Sequence, residues 1–161
     1  MPLAQNVPAD KLIDALAVYL KENVKEVVPP EWSLYTKTGP HVTRVPASPN
    51  FWYMRSASLL RRLYIESPVG IERLRTMYGG RTKKGMRNEH FMKSGASMIR
   101  KNLQQLEAAG LVEKATTKGR RLTDKGISTV DRVAYKLLKD MQKEMPELGK
   151  YLPQKVPPQQ G

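Results

Sequence analysis

The residues of this chain best equipped for chemistry are cations, and the chemistry they suit is phosphate binding. From 78 to 87 the sequence reads Tyr78-Gly79-Gly80-Arg81-Thr82-Lys83-Lys84-Gly85-Met86-Arg87. Glycines strip side-chain bulk from a loop, so backbone amides can approach phosphate oxygens, and Arg81, Lys83, Lys84 and Arg87 add positive charge. Met alone, such a loop is more often a solvated surface segment. Arg100-Lys101 and Arg120-Arg121 nearby favour binding. The excess is regional, since residues 51–101 hold twelve Lys/Arg against three Asp/Glu. Gly80 to Gly85 also imitates the start of a P-loop. Met86 and Arg87 stand where that motif needs Lys and Ser/Thr, so nucleotide hydrolysis is rejected.

A second basic cluster lies on the segment 94–109. Arg100, Lys101, Asn102, Gln104 and Gln105 are hydrogen-bonding types that can meet phosphates, riboses or base edges. An ordinary amphipathic helix with a solvated face explains many such segments. Here it runs into a two-stranded turn carrying Arg120 and Arg121, the order of a recognition helix followed by a wing. Arg55, Arg61 and Arg62 form a third group. By helical angle Arg55 and Arg62 share a face, and Glu66 is the only acid on that helix. The run Phe51-Trp52-Tyr53 could stack on unpaired bases, but aromatics clustered at a helix start are more often core, and core is the reading adopted.

Other chemistries find no support. His41 and His90 are the only histidines, there is no cysteine, and neither histidine has metal-ligand spacing to another ligand. No paired carboxylates, nucleophile elbow or dinucleotide fingerprint is present, so no enzyme, cofactor or metal is expected. The net charge of +13 and pI near 10.0 speak for a polyanionic partner. The N-terminus lacks a basic region followed by an apolar run, so no secretory signal is expected. No apolar stretch approaches the roughly 20 residues that span a bilayer.

These groups need elements to hold them. Leu12, Leu16 and Leu20 mark one face of a helix of about 14 residues beginning near Pro8–Asp10. Residues 29–50 hold repeated Pro and Gly and read as an ordered connection carrying Trp32 and His41, with room for a short strand. A second helix spans 51–66. Ser67-Pro68 predicts the start of a third, with Ser as cap and Pro in its first turn, ending at Gly79-Gly80. Ser94 is expected to cap a fourth helix, closed by Gly110. Strands at about 111–115 and 120–123 flank a turn, and Thr123-Asp124-Lys125-Gly126 opens a fifth helix buried along Ile127, Val130, Val133 or Ala134, Leu137, Leu138 and Met141. The expected fold is mainly α: a winged helix-turn-helix core with a small β-hairpin wing and an extra N-terminal helix. Residues 1–145 form one domain in this reading, and the Pro- and Gln-rich 146–161 a flexible tail.

Six ordered motifs carry a resemblance: Val28-Pro29-Pro30-Glu31-Trp32, Lys37-Thr38-Gly39, Trp52-Tyr53-Met54-Arg55-Ser56-Ala57-Ser58, Leu60-Arg61-Arg62-Leu63-Tyr64, Tyr78-Gly79-Gly80-Arg81 and Gly119-Arg120-Arg121-Leu122-Thr123. Over roughly residues 5–145 the chain resembles the archaeal and eukaryotic family of small-subunit ribosomal protein nineteen, unrelated to the bacterial protein of that number. The resemblance implies a helical winged-helix protein of the small subunit's head that contacts rRNA and supports late subunit assembly. It also implies small-subunit rRNA and neighbouring ribosomal proteins as partners, a cytoplasmic place in the ribosome, a monomer when free, and no membrane contact. The family's important basic positions fall at Arg55, Arg61 and Arg100, beside Tyr78, Gly79, Gly80 and Arg81. The doubled proline at 29–30 and the segment after Pro146 depart from its usual pattern. Against this stands a winged-helix DNA-binding transcription regulator, which would suit Leu106–Glu113 followed by Gly119–Thr123 and would place the fourth helix in a major groove. A transient rRNA assembly factor is a third reading.

Overall fold

The computed structural model describes residues 3–116 and 118–145; the expected tail 146–161 and Thr117, in the wing turn, lie outside the described residues. A 3-10 turn at Leu3–Gln5 leads into α1, Ala9–Asn23. α1 buries Leu12, Leu16, Ala17 and Leu20 against α2, Phe51–Glu66, as the four-residue spacing predicts. Each such leucine contributes about 1.5–3 kcal/mol by leaving water. An exposed ion pair contributes about 0–1 kcal/mol, so the leucine stripes rather than the surface charge hold this fold. The connection 29–50 contains no strand; its regular part is a 3-10 turn, Glu31–Leu34.

The third helix does not begin at Ser67-Pro68. α3 spans Ile71–Met77, with Gly70 at the N-cap position. The backbone of Val69 pairs instead with Arg120, donating to and accepting from it at 3.0 Å each way. That pairing needs extended backbone immediately after the proline, so the helix cannot start there. The basic loop is also more ordered than the sequence reading expects. Gly80–Lys84 is strand β1 and Arg87–Met92 is strand β2, paired antiparallel with an irregularity between Thr82 and Lys84 and a tight turn at Gly85. A second hairpin therefore separates the two helices of the helix-turn-helix.

α4 spans Ala96–Ala108 and buries Met98, Ile99, Leu103 and Leu106. Ser94 does not cap it, and Gly95 occupies that position. The Ser94 amide donates to Arg75 O and its carbonyl accepts from Arg75 Nε, both at 3.0 Å, which ties Ser94 to the end of α3. Gly110 ends α4 as expected. With φ +70° it lets Leu111 donate to Leu106 O and Gly110 to Glu107 O, satisfying two terminal carbonyls. The wing follows as β3, Val112–Lys114, antiparallel to β4, Arg120–Leu122, with Val69 on the other edge of β4.

Thr123 caps α5, Asp124–Glu144, accepting from the Gly126 amide at 3.1 Å and donating to Gly110 O at 2.8 Å. Val130, Val133, Ala134, Leu138 and Met141 are buried. Ile127, expected in that stripe, is exposed. Gly126 makes the inward contact of the first turn, where a Cβ would overlap the Leu111 carbonyl oxygen. The result is the predicted mainly α winged helix-turn-helix with an added N-terminal helix.

Candidate nucleic-acid interface

Arg55 sits on α2 between two rings. Its guanidinium carbon lies 5.1 Å from the Phe51 centroid and 4.3 Å from that of Tyr78. Ser58 Oγ and Tyr78 Oη share a 2.7 Å hydrogen bond, so α2 grips Tyr78 from two positions. Burial pushes the Arg55 guanidinium below its ordinary value, while the Tyr78 phenol beside it acts the other way. An arginine stays charged through such a shift. This cation therefore anchors the start of the Tyr78-Gly79-Gly80-Arg81 motif to the helix. Gly79 has to be glycine here, because a Cβ would come within 2.6 Å of Met92 O and 2.8 Å of the Phe91 ring. Gly80, the next residue, opens β1 beside His41.

The predicted cations divide by what they face. Arg62 pairs with Glu66 at 3.0 Å, and Arg73 reaches the same carboxylate at 3.6 Å. Arg81 and Lys83 both reach Glu89, at 4.0 and 3.6 Å. Arg121 pairs with Glu113 at 2.6 Å, and the largely buried Arg120 reaches Glu107 at 3.6 Å. Glu72 is held between Arg75 and Lys93, whose hydrogen bonds keep its carboxyl below the usual range. Among the described residues Arg87, Arg100 and Lys101 are exposed and meet no acidic partner. Arg61 lies about 120° around α2 from Arg55. Its Nε is buried without a hydrogen-bond partner among the described residues. Lys84 pairs with Arg87 in the ladder, but its side chain lies outside the described ones.

α4 presents Ser97, Arg100, Lys101 and Gln104 on one outer face. Asn102 and Gln105, which the sequence reading grouped with them, point inward. Asn102 is buried, donates to Met98 O at 2.9 Å and meets Ser56 Oγ. Gln105 accepts from Trp52 Nε1 at 2.8 Å and donates to Val28 O at 2.7 Å. These bonds lay the 28–38 segment along α4, with Gly95 donating to Thr38 O at 2.8 Å. Trp52 is core, as read from the sequence. Trp32 packs edge-on against it, with ring centroids 5.7 Å apart. The sequence reading did not select Lys37, which lines a groove with Arg100 and Lys101. Its signals were its place in the Lys37-Thr38-Gly39 motif of the resemblance and a single positive charge amid turn residues.

The described residues contain no cluster of His, Cys, Asp or Glu fit for a metal, and no helix long and apolar enough to cross a membrane. The arrangement is a winged helix with two basic projections, the outer face of α4 and the β1–β2 hairpin.

Over residues 3–140 the chain matches the family described as Ribosomal protein S19e. It is 48% identical over 150 residues to the small ribosomal subunit protein eS19 of Aeropyrum pernix, covering 92% of this chain and 98% of that one. It is 38% identical over 155 residues to eS19 of Haloarcula marismortui, covering 94% and 99% of the two chains. Against eS19B of Schizosaccharomyces pombe the identity is 38% over 136 residues, covering 84% and 94%. A match of that span, on a winged helix of this charge, means that the chain belongs to the S19e family of ribosomal proteins.

Proposed function

We propose that this protein is a structural constituent of the small ribosomal subunit that binds rRNA and supports subunit assembly and rRNA maturation, without catalysing a reaction. The observation that carries the reading is the α4 face, where Arg100 and Lys101 project side by side with no acidic partner among the described residues, whereas Arg62, Arg81, Lys83, Arg120 and Arg121 each reach a carboxylate. Unpaired cations neutralise phosphates where folded rRNA strands approach one another, which lowers the repulsion of packing them. Shape and phosphate contacts dominate, since A-form RNA hides its bases in a deep, narrow groove. Residues 1–145 act as one domain and 146–161 as an appended tail. The free protein is a monomer, and its working place is the ribosome in the cytoplasm, beside other small-subunit proteins.

The DNA-regulator reading is disfavoured by the flanks of α4. A recognition helix has to enter a major groove about 12 Å wide. Here the 28–38 segment runs along the helix, and a hairpin interrupts the turn before it.

The test is binding to small-subunit rRNA across a salt series, with the Arg100→Glu/Lys101→Glu variant beside the parent. The variant is expected to fold and to bind more weakly. Its dependence of log K on log salt should flatten by about 0.7–0.9 per lost phosphate contact. A folded variant with unchanged affinity and slope overturns the assignment of this face. Arg61→Glu belongs in the same series. If it unfolds, the half-buried Arg61 is structural rather than an RNA ligand.

A further inference from the structure

The sequence reading assigned Phe51-Trp52-Tyr53 to the core rather than to base stacking, and the structure exposes a different ring, Trp32. Trp52 is 2% exposed and committed to the core, whereas Trp32 is 36% exposed. Trp32 is nonetheless fixed: its ring meets Trp52 edge-on, and its carbonyl accepts from the Tyr35 amide at 3.2 Å and from Thr36 Oγ1 at 3.0 Å. A rigid, half-exposed indole presents a π-face at little cost in ordering. It lines a groove of about 580 Å³ together with Thr36, Lys37, Ser97, Arg100, Lys101 and Gln104. Lys37, Arg100 and Lys101 are exposed and meet no carboxylate among the described residues, so the groove's positive charge is uncompensated. Ser97 and Gln104 add hydroxyl and amide groups suited to a sugar or a base edge.

A planar ring beside three free cations matches the two halves of a nucleotide. We infer that this groove takes one unpaired nucleotide of rRNA, with its base against Trp32 and its phosphate among Lys37, Arg100 and Lys101. A base locked in a duplex cannot reach such a platform, so the site selects single-stranded, bulged or splayed nucleotides. The inference rests on the proposed rRNA binding and adds to it a discrete subsite with a preference for unpaired residues.

The experiment titrates a small-subunit rRNA transcript into the full chain and its Trp32→Ala and Trp32→Phe variants, reading affinity at several salt concentrations. In the parent it also reads iodide quenching of tryptophan emission. Trp32 and Trp52 are the only tryptophans and Trp52 is buried, so quenchable emission reports Trp32. Trp32→Ala should weaken binding at least about five-fold, the low end for one base on an aromatic ring, with an unchanged salt slope. Trp32→Phe should stay within about two-fold of the parent, since it keeps a π-face. Bound rRNA should shield Trp32 from iodide. The subsite is overturned if folded Trp32→Ala binds like the parent, or if Trp32 stays open to iodide in the saturated complex. Should Trp32→Ala fail to fold, the parent's iodide result decides alone. A parent that does not bind the transcript fails at the earlier step and takes down the rRNA reading itself.

Discussion

Arg55 is a cation held by rings rather than by carboxylates. Helical angle placed it on one face with Arg62, and the resemblance marked it as important, but neither could say why. Its second ring, Tyr78, is remote in sequence, and a contact between α2 and the end of α3 leaves no trace in local spacing. Arg62, its apparent twin, faces Glu66 one turn on, a pairing that is legible from i,i+4 spacing. The two arginines should therefore respond differently to change. Arg55→Lys keeps the charge but loses the planar stack, and should cost about 1–2 kcal/mol in urea unfolding at constant pH. Arg62→Lys should cost less than about 0.5 kcal/mol. An Arg55→Lys variant as stable as the parent but unable to bind rRNA would make Arg55 a direct RNA ligand instead of an anchor.

At the scale of elements, legibility followed burial. α1, α2, α4 and most of α5 were readable because each buries a stripe at helical spacing, as Leu12, Leu16 and Leu20 do. The β1–β2 hairpin was not, because β2 is exposed along its whole length and so lacks the alternation that marks a half-buried strand. Lys84-Gly85-Met86-Arg87 read as loop for the same reason. Ser67-Pro68 misled because local capping signals cannot see that Val69 is drawn across to Arg120. Thr123 was readable because its partner, the Gly126 amide, is local. It also ties the α5 start to the end of α4 through Gly110 O. Thr123→Ala should therefore destabilise by about 1–2 kcal/mol, toward the upper end for a lost cap. Thr123→Ser, which keeps both hydrogen bonds, should recover most of it. Equal stability of parent and Thr123→Ala in denaturant unfolding would show that the junction does not depend on this hydroxyl.

For the whole molecule the deciding quantity is charge. Lys and Arg outnumber Asp and Glu 28 to 15. The carboxylates around the winged helix are largely taken up by neighbouring cations, at Glu66, Glu72, Glu89, Glu107 and Glu113. Among the described residues Lys37, Arg87, Arg100 and Lys101 stay exposed with no acidic partner, as do Lys118 in the wing turn and Arg132, Lys136 and Lys139 on α5. Composition alone showed the excess; only the fold shows which cations are free to leave the protein surface for phosphate. Sequence motifs were enough for the family and the winged-helix core. The split between paired and free cations was out of reach, because it depends on the tertiary neighbours of each side chain. The measurement that bears most directly on the central claim is sedimentation of the tagged protein from cell lysate, with and without a moderate-salt wash. The account predicts roughly stoichiometric, salt-resistant co-migration with mature small subunits, lost in the Arg100→Glu/Lys101→Glu variant. Presence only on immature particles would contradict it in favour of a transient assembly factor, and absence from all ribosomal fractions would contradict it outright.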